Sequence, residues 1–235
     1  MGLRGIAIFA TAVAVVPCAA WSPKVHSLQT RLAKGIIPRG MANLLDQHSA
    51  ALIEANKKVG SLHAPTPEDV ERQFDKVVKM SHDGKPPAEI VYELGMLANM
   101  VQLLTDPSVT GGLTHAQRTF STFADEHFDK LAASKEPLFA AKGEPNPRAP
   151  IHAWARQKYE RYRTLTNHVN PNTGEKIGAW DTLSVPFALM QLGFSTGINA
   201  TANIWIYAWR AAGAYWVRPT GRQGSGESSL SARMR

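Results

Sequence analysis

Residues 185–217 form a run of apolar residues long enough to suggest a membrane span, yet Ser195, Asn199 and Asn203 sit inside it at i, i+4 and i+8. On a helix that spacing lines the three polar side chains up as one stripe. Lipid offers such a stripe no hydrogen-bond partners, whereas a protein interior does. The segment therefore reads as a buried central helix, broken or bent near Gly193 and Gly197, with its stripe turned to a pocket or to a neighbouring backbone. Whatever fold the chain adopts must wrap other helices around this one.

The rest of the sequence supplies them. Ser22-Pro23 is a capping hydroxyl before a proline at the first helical position, with Val25, Leu28 and Leu32 on one face of a helix reaching Lys34. Pro38 opens a second helix that keeps an apolar period up to Gly60, and Thr66-Pro67-Glu68-Asp69 opens a third carrying Val70, Phe74, Val77 and Val78. Pro86-Pro87 begins the most apolar helix of the amino half, with Ile90, Val91, Leu94, Leu97, Ala98, Val101 and Leu104 along one side. Thr114-x-x-Gln117 has the form of a capping box for a helix running to about Ser134, and Ile151–Leu165 forms one more. Asn167–Gly178 is rich in turn residues, and alternating strand patterns are few. The class is all-α: a single multi-helix domain over 21–217, followed by a basic tail over 218–235 whose Gly, Ser and Arg content predicts disorder.

The amino end has the order of a secretory signal. Arg4 is its one charge, Gly5–Val16 is apolar, and Pro17-Cys18-Ala19-Ala20 offers the small residues that a signal peptidase reads. The apolar run is shorter than the ~20 residues a span requires, and Pro17 disfavours lipid attachment at Cys18. The expectation is a signal peptide over 1–20, a mature chain beginning at Trp21 with no transmembrane anchor, and export to the periplasm or beyond the cell. Cys18 is the one cysteine, so the mature chain has neither disulfides nor a thiolate metal site and must rely on an apolar core. The net charge of +7 falls to +6 once Arg4 leaves, which suits an anionic ligand such as a phospholipid head group or nucleic acid.

No Gly-rich phosphate loop, nucleophile elbow or Cys/His cluster occurs, and His82, His127, His152 and His168 show no ligand spacing among themselves. Four other features together resemble the zinc-dependent phospholipase C and single-strand-specific nuclease superfamily. The mature start Trp21-Ser22-Pro23-Lys24-Val25-His26 is similar to that family's opening Trp-x4-His. Leu94-Gly95-x3-Asn99-x3-Leu103-x3-Pro107-x-Val109 keeps the spacing of its Leu-Gly-x3-His-x3-Asp-x3-Pro-x-His. Thr114-His115-x3-Thr119 is similar to a downstream His-x3-Glu/Asp, and the long apolar helix from about Phe187 to Trp209 resembles its last helix.

The resemblance implies metal ligands at Trp21, through its freed amino group and carbonyl, at His26 and at His115, with His63 in the region of another family histidine. Asn99, Leu103, Val109 and Thr119 stand where the family has ligands, and leucine and valine have no lone pairs to give. A three-zinc cluster is therefore not expected. One zinc ion held by Trp21, His26 and a substitute carboxylate at Asp106 stays open, since Asn99, Leu103 and Asp106 fall at i, i+4 and i+7. Two functional readings follow: an exported member with a degenerate zinc site that acts by binding, or an active hydrolase of phosphodiester or other ester bonds with a reduced metal site. A third, unrelated exported helical domain is the plainest alternative.

Overall fold

A computed structural model of the chain describes residues 21–58, 62, 64–109, 115–134 and 146–213. The expected signal over 1–20, His63, Thr114 and the tail over 218–235 lie outside the described residues. Eight helices are present among those described: α1 Pro23–Lys34, α2 Arg39–Gln47, α3 Ser49–Asn56, α4 Pro67–His82, α5 Pro87–Thr105, α6 His115–Glu126, α7 Arg148–Leu165 and α8 Val185–Ala212. A single isolated bridge, Val169 with Lys176, is the β pairing seen among the described residues. The molecule is all-α.

The start signals behave as their chemistry demands. Helices α1, α4, α5 and α8 each carry a proline in the first turn, where its missing N–H costs nothing. Thr66 and Asp69 close a reciprocal capping box on α4: the Asp69 N–H donates to Thr66 Oγ1 at 3.2 Å, and the Thr66 N–H donates to Asp69 Oδ2 at 2.9 Å. Such a cap stabilises a helix by about 1 kcal/mol.

Three elements differ from expectation. The helix opened by Pro38 divides at His48, whose φ of −116° and ψ of 31° leave the helical region and turn the chain between α2 and α3. The helix over the Phe120 region ends at Glu126, and a 3-10 turn at Phe128–Lys130 follows it. Most consequentially, α8 is one unbroken helix through Gly193 and Gly197. Those glycines serve close packing rather than a break.

Helices α5 and α8 sit at the centre. They contact each other, α5 also touches α1, α2, α3, α4 and α7, and α8 touches α1, α4, α6 and α7. Both therefore bury residues on nearly every face, as an apolar-all-round helix must. Trp205 of α8 is fully buried, and its indole N–H donates to the Leu94 carbonyl of α5 at 3.0 Å. That bond ties the two central helices together through a side chain whose loss alone would cost about 3–5 kcal/mol. Among the described residues no helix is long and apolar enough to cross a membrane.

The close approach of α3 to α5 is set by Gly95. A Cβ there would sit 2.6 Å from the Ala55 Cβ, which no packing tolerates without movement. One turn later the Asn99 amide donates to the Ala55 carbonyl at 2.8 Å, inside the same contact.

Candidate functional site

The polar interior of the molecule lies where α1, the end of α5 and the middle of α8 meet. Helix α1 does not bury the face its aliphatic spacing suggests. Val25, His26, Gln29, Thr30 and Ala33 are buried, whereas Leu28 and Leu32 are only partly so. Three polar side chains thus enter the core together and must find partners there.

They find them on α5 and α8. His26 Nδ1 lies 2.7 Å from Gln102 Oε1, and the Gln102 amide nitrogen donates to Thr30 Oγ1 at 3.0 Å and to Thr201 Oγ1 at 3.4 Å. An amide oxygen can only accept, so Nδ1 carries the proton and Nε2 keeps its lone pair. That Nε2 has no hydrogen-bond partner among the described residues. Burial pushes the His26 pKa down to about 4, and the Gln102 bond only partly opposes it, so the ring is neutral at physiological pH. The Gln29 amide donates to the Phe194 carbonyl of α8 at 3.2 Å. It can do so because Gly197 has no side chain: a Cβ there would overlap the Gln29 amide nitrogen and stand 3.3 Å from Thr105 Oγ1.

Trp21 closes one end of this region. Its side chain is buried, edge-on to Phe120 of α6 at 6.0 Å and to Phe194 of α8 at 6.4 Å between ring centroids. Gly193 makes room for it, since a Cβ there would meet Pro107 Cδ at 2.8 Å and Trp21 Cζ2 at 3.5 Å. Asp106 lies against the same end. It caps α5 with φ −74° and ψ 118°, so the chain has already left the helical path. Its Oδ1 accepts from the Ser108 N–H at 2.8 Å and the Ser108 hydroxyl at 2.7 Å. Burial raises its pKa to about 6, against the lowering effects of the Ser108 bonds, Lys158 and the Trp21 backbone.

The residues read from the sequence thus separate into three places. Trp21, His26 and Asp106 belong to the α1–α5–α8 interior. Asn99 and Leu103 look the other way: Asn99 bonds to α3, and Leu103 packs with Val109, Leu62 and Ala64 in a small apolar cluster of its own. Asp106 does not continue their face, because α5 ends at Thr105. His115 is exposed and accepts from Arg118 Nη2 at 2.8 Å, while the Thr119 hydroxyl donates to the Gly174 carbonyl at 2.6 Å. His63 falls outside the described residues.

Among the described residues no three His, Cys, Asp or Glu side chains are grouped so as to hold a metal ion. Leu103 and Val109 pack on each other, and the Asn99 amide is committed to Ala55.

A second, open site lies between α7 and α8. It is a cleft of about 300 Å³ lined by Trp154, Gln157 and Arg161 on α7 and by Asn199, Asn203 and Tyr207 on α8. The polar stripe of α8 accounts for its position. The Ser134 N–H donates to Ser195 Oγ at 3.2 Å, and the Asn199 amide donates to the Ser134 carbonyl at 2.8 Å. The Asn203 amide donates to the Asn199 carbonyl at 2.8 Å. Thus the upper part of the stripe binds backbone and the lower part edges the cleft. The α7 side was not marked in the sequence, although Trp154, Gln157 and Arg161 recur at helical spacing and could have been read as one face.

No family model, curated protein or solved structure matches the chain at a significant level.

Proposed function

We propose that this chain is an exported protein on the helical scaffold of the phospholipase C and nuclease-like superfamily, that it has lost the zinc chemistry, and that it acts by binding a phosphate-bearing ligand in the α7–α8 cleft. One observation carries the reading. The α5 positions at metal-ligand spacing are used for packing, Asn99 on Ala55 and Leu103 on Val109, while the α7–α8 cleft has a guanidinium and two large aromatic side chains in its lining. Arginine recognises phosphate oxygens by paired N–H donors, and the tryptophan and tyrosine of the same lining offer flat surfaces to a base or a glycerol backbone. The net positive charge would raise encounter rates with an anion.

The test has two parts. Protein with a verified Trp21 terminus should carry no stoichiometric zinc and show no zinc-dependent phosphodiester hydrolysis. Stoichiometric zinc with turnover abolished by His26→Ala would establish the hydrolase instead. Binding should then be measured to vesicles containing an anionic phospholipid and, separately, to a single-stranded oligonucleotide. Arg161→Ala should weaken binding by about tenfold or more, the scale of a lost charge-assisted hydrogen bond. Unchanged affinity for both probes would remove the cleft from consideration.

A further inference from the structure

Asp106 is a buried carboxylate whose described hydrogen-bond donors are all neutral. Its side chain is fully buried, and Oδ1 accepts from the Ser108 N–H and hydroxyl. The other donor to the carboxyl is the backbone N–H of Trp21, whose hydrogen bond works against the effect of burial. That nitrogen is held in place: Phe120, Phe194 and the bare Cα of Gly193 fix the Trp21 ring, and Pro107, the neighbour of Asp106, touches the same glycine. Ser22 Oγ and the Trp21 indole nitrogen, both buried without partners among the described residues, lie on the same short segment. Lys158 of α7 adds Coulombic attraction, yet burial still dominates the carboxylate. An amide N–H brings only a partial charge to such a site, and a buried carboxylate calls for a full one.

The sequence independently places the signal peptidase cut at the bond that would release this nitrogen. Hydrolysis by that peptidase adds water across the Ala20–Trp21 peptide bond. It leaves a carboxylate on Ala20 and an amine on Trp21, which takes a proton from solvent below its pKa of about 8. We propose that the α-ammonium freed at Trp21 forms a buried ion pair with Asp106, so that removal of the leader completes the core of the folded protein. The inference rests on the export reading of the amino end and not on zinc or on the α7–α8 cleft. Signal removal then has a structural consequence beyond release from the membrane.

The experiment compares the exported full chain, its amino terminus sequenced, with chains made inside the cell that carry one alanine or an acetyl group before Trp21. The Trp21-first protein should melt on the order of 10 °C higher, and Asp106→Asn should abolish that difference. A second measurement does not depend on variant stability: mass-spectrometric timing of α-amine acylation at neutral pH. The amine should react slowly in the wild-type protein and at the rate of an exposed terminus in Asp106→Asn. Cleavage at another bond, equal melting temperatures, rapid acylation of the wild type, or a zinc ion bound by the free amine would each overturn the proposal.

Discussion

His26 and Asp106 show what burial does to a single titratable group. Burial holds His26 neutral to about pH 4, while its unfolded counterpart takes a proton near 6.5. Between those values the unfolded chain holds the extra proton, so this group's contribution is intact above 6.5 and lost as the pH falls, by about 3 kcal/mol in total. Asp106 works in the opposite sense. Its folded pKa is raised from 3.8 to about 6, so the folded chain holds the extra proton between them. Its contribution is intact below 3.8 and lost as the pH rises through 6, again by about 3 kcal/mol. While Trp21 remains amide-linked, the two slopes oppose one another. Denaturant titrations from about pH 4 to about pH 7 should therefore diverge in the variants: His26→Gln loses stability as the pH rises, and Asp106→Asn loses it as the pH falls. Parallel slopes would refute both assignments. His26 and Trp21 stood out in the sequence by their place after an expected cleavage site. The partner of His26 did not, because Gln102 lies 76 positions away. Whether Asn99, Gln102 or Leu103 turns to α1 depends on the rotation of α5 about its own axis, which an apolar-all-round helix does not declare.

At the level of elements, helix starts were legible wherever a proline or a capping box announced them, as at Pro23, Pro67 and Pro87. Ends and interruptions were less so. The division at His48 has no glycine or proline to mark it, and the glycines of α8, which locally read as breaks, are contact points for other helices. Gly197 supplies the sharpest case. In Gly197→Ala the new methyl group would displace the Gln29 amide from the Phe194 carbonyl and strand a buried donor. Intrinsic helix propensity favours alanine by about 1 kcal/mol. Overpacking and the lost hydrogen bond should outweigh it, for a net loss of about 1–3 kcal/mol by equilibrium denaturation. A variant more stable than the wild type would mean that α1 and α8 can part without cost. The same packing logic explains the Leu-Gly-x3-Asn spacing of α5, since Gly95 and Asn99 both lie on the α3 contact.

For the molecule as a whole, all-helical character was readable from periodicity and from the scarcity of strand patterns, whereas the arrangement was not, because it depends on which helices pair. The decisive pairings involve α8, which follows the other seven helices in sequence and touches five of them. A chain ending at Ser184 would expose the apolar faces that α1, α4 and α5 turn towards α8. It should fail to show a cooperative thermal transition by circular dichroism, and a sharp melt near that of the intact protein would show an independently folding amino half. The late position of α8 bears on how such a protein acquires its shape. A polypeptide whose keystone is synthesised after everything it must hold cannot lock into its final shape while the ribosome is still working through the earlier segments. It hardens only after the last turns of that helix have joined the rest.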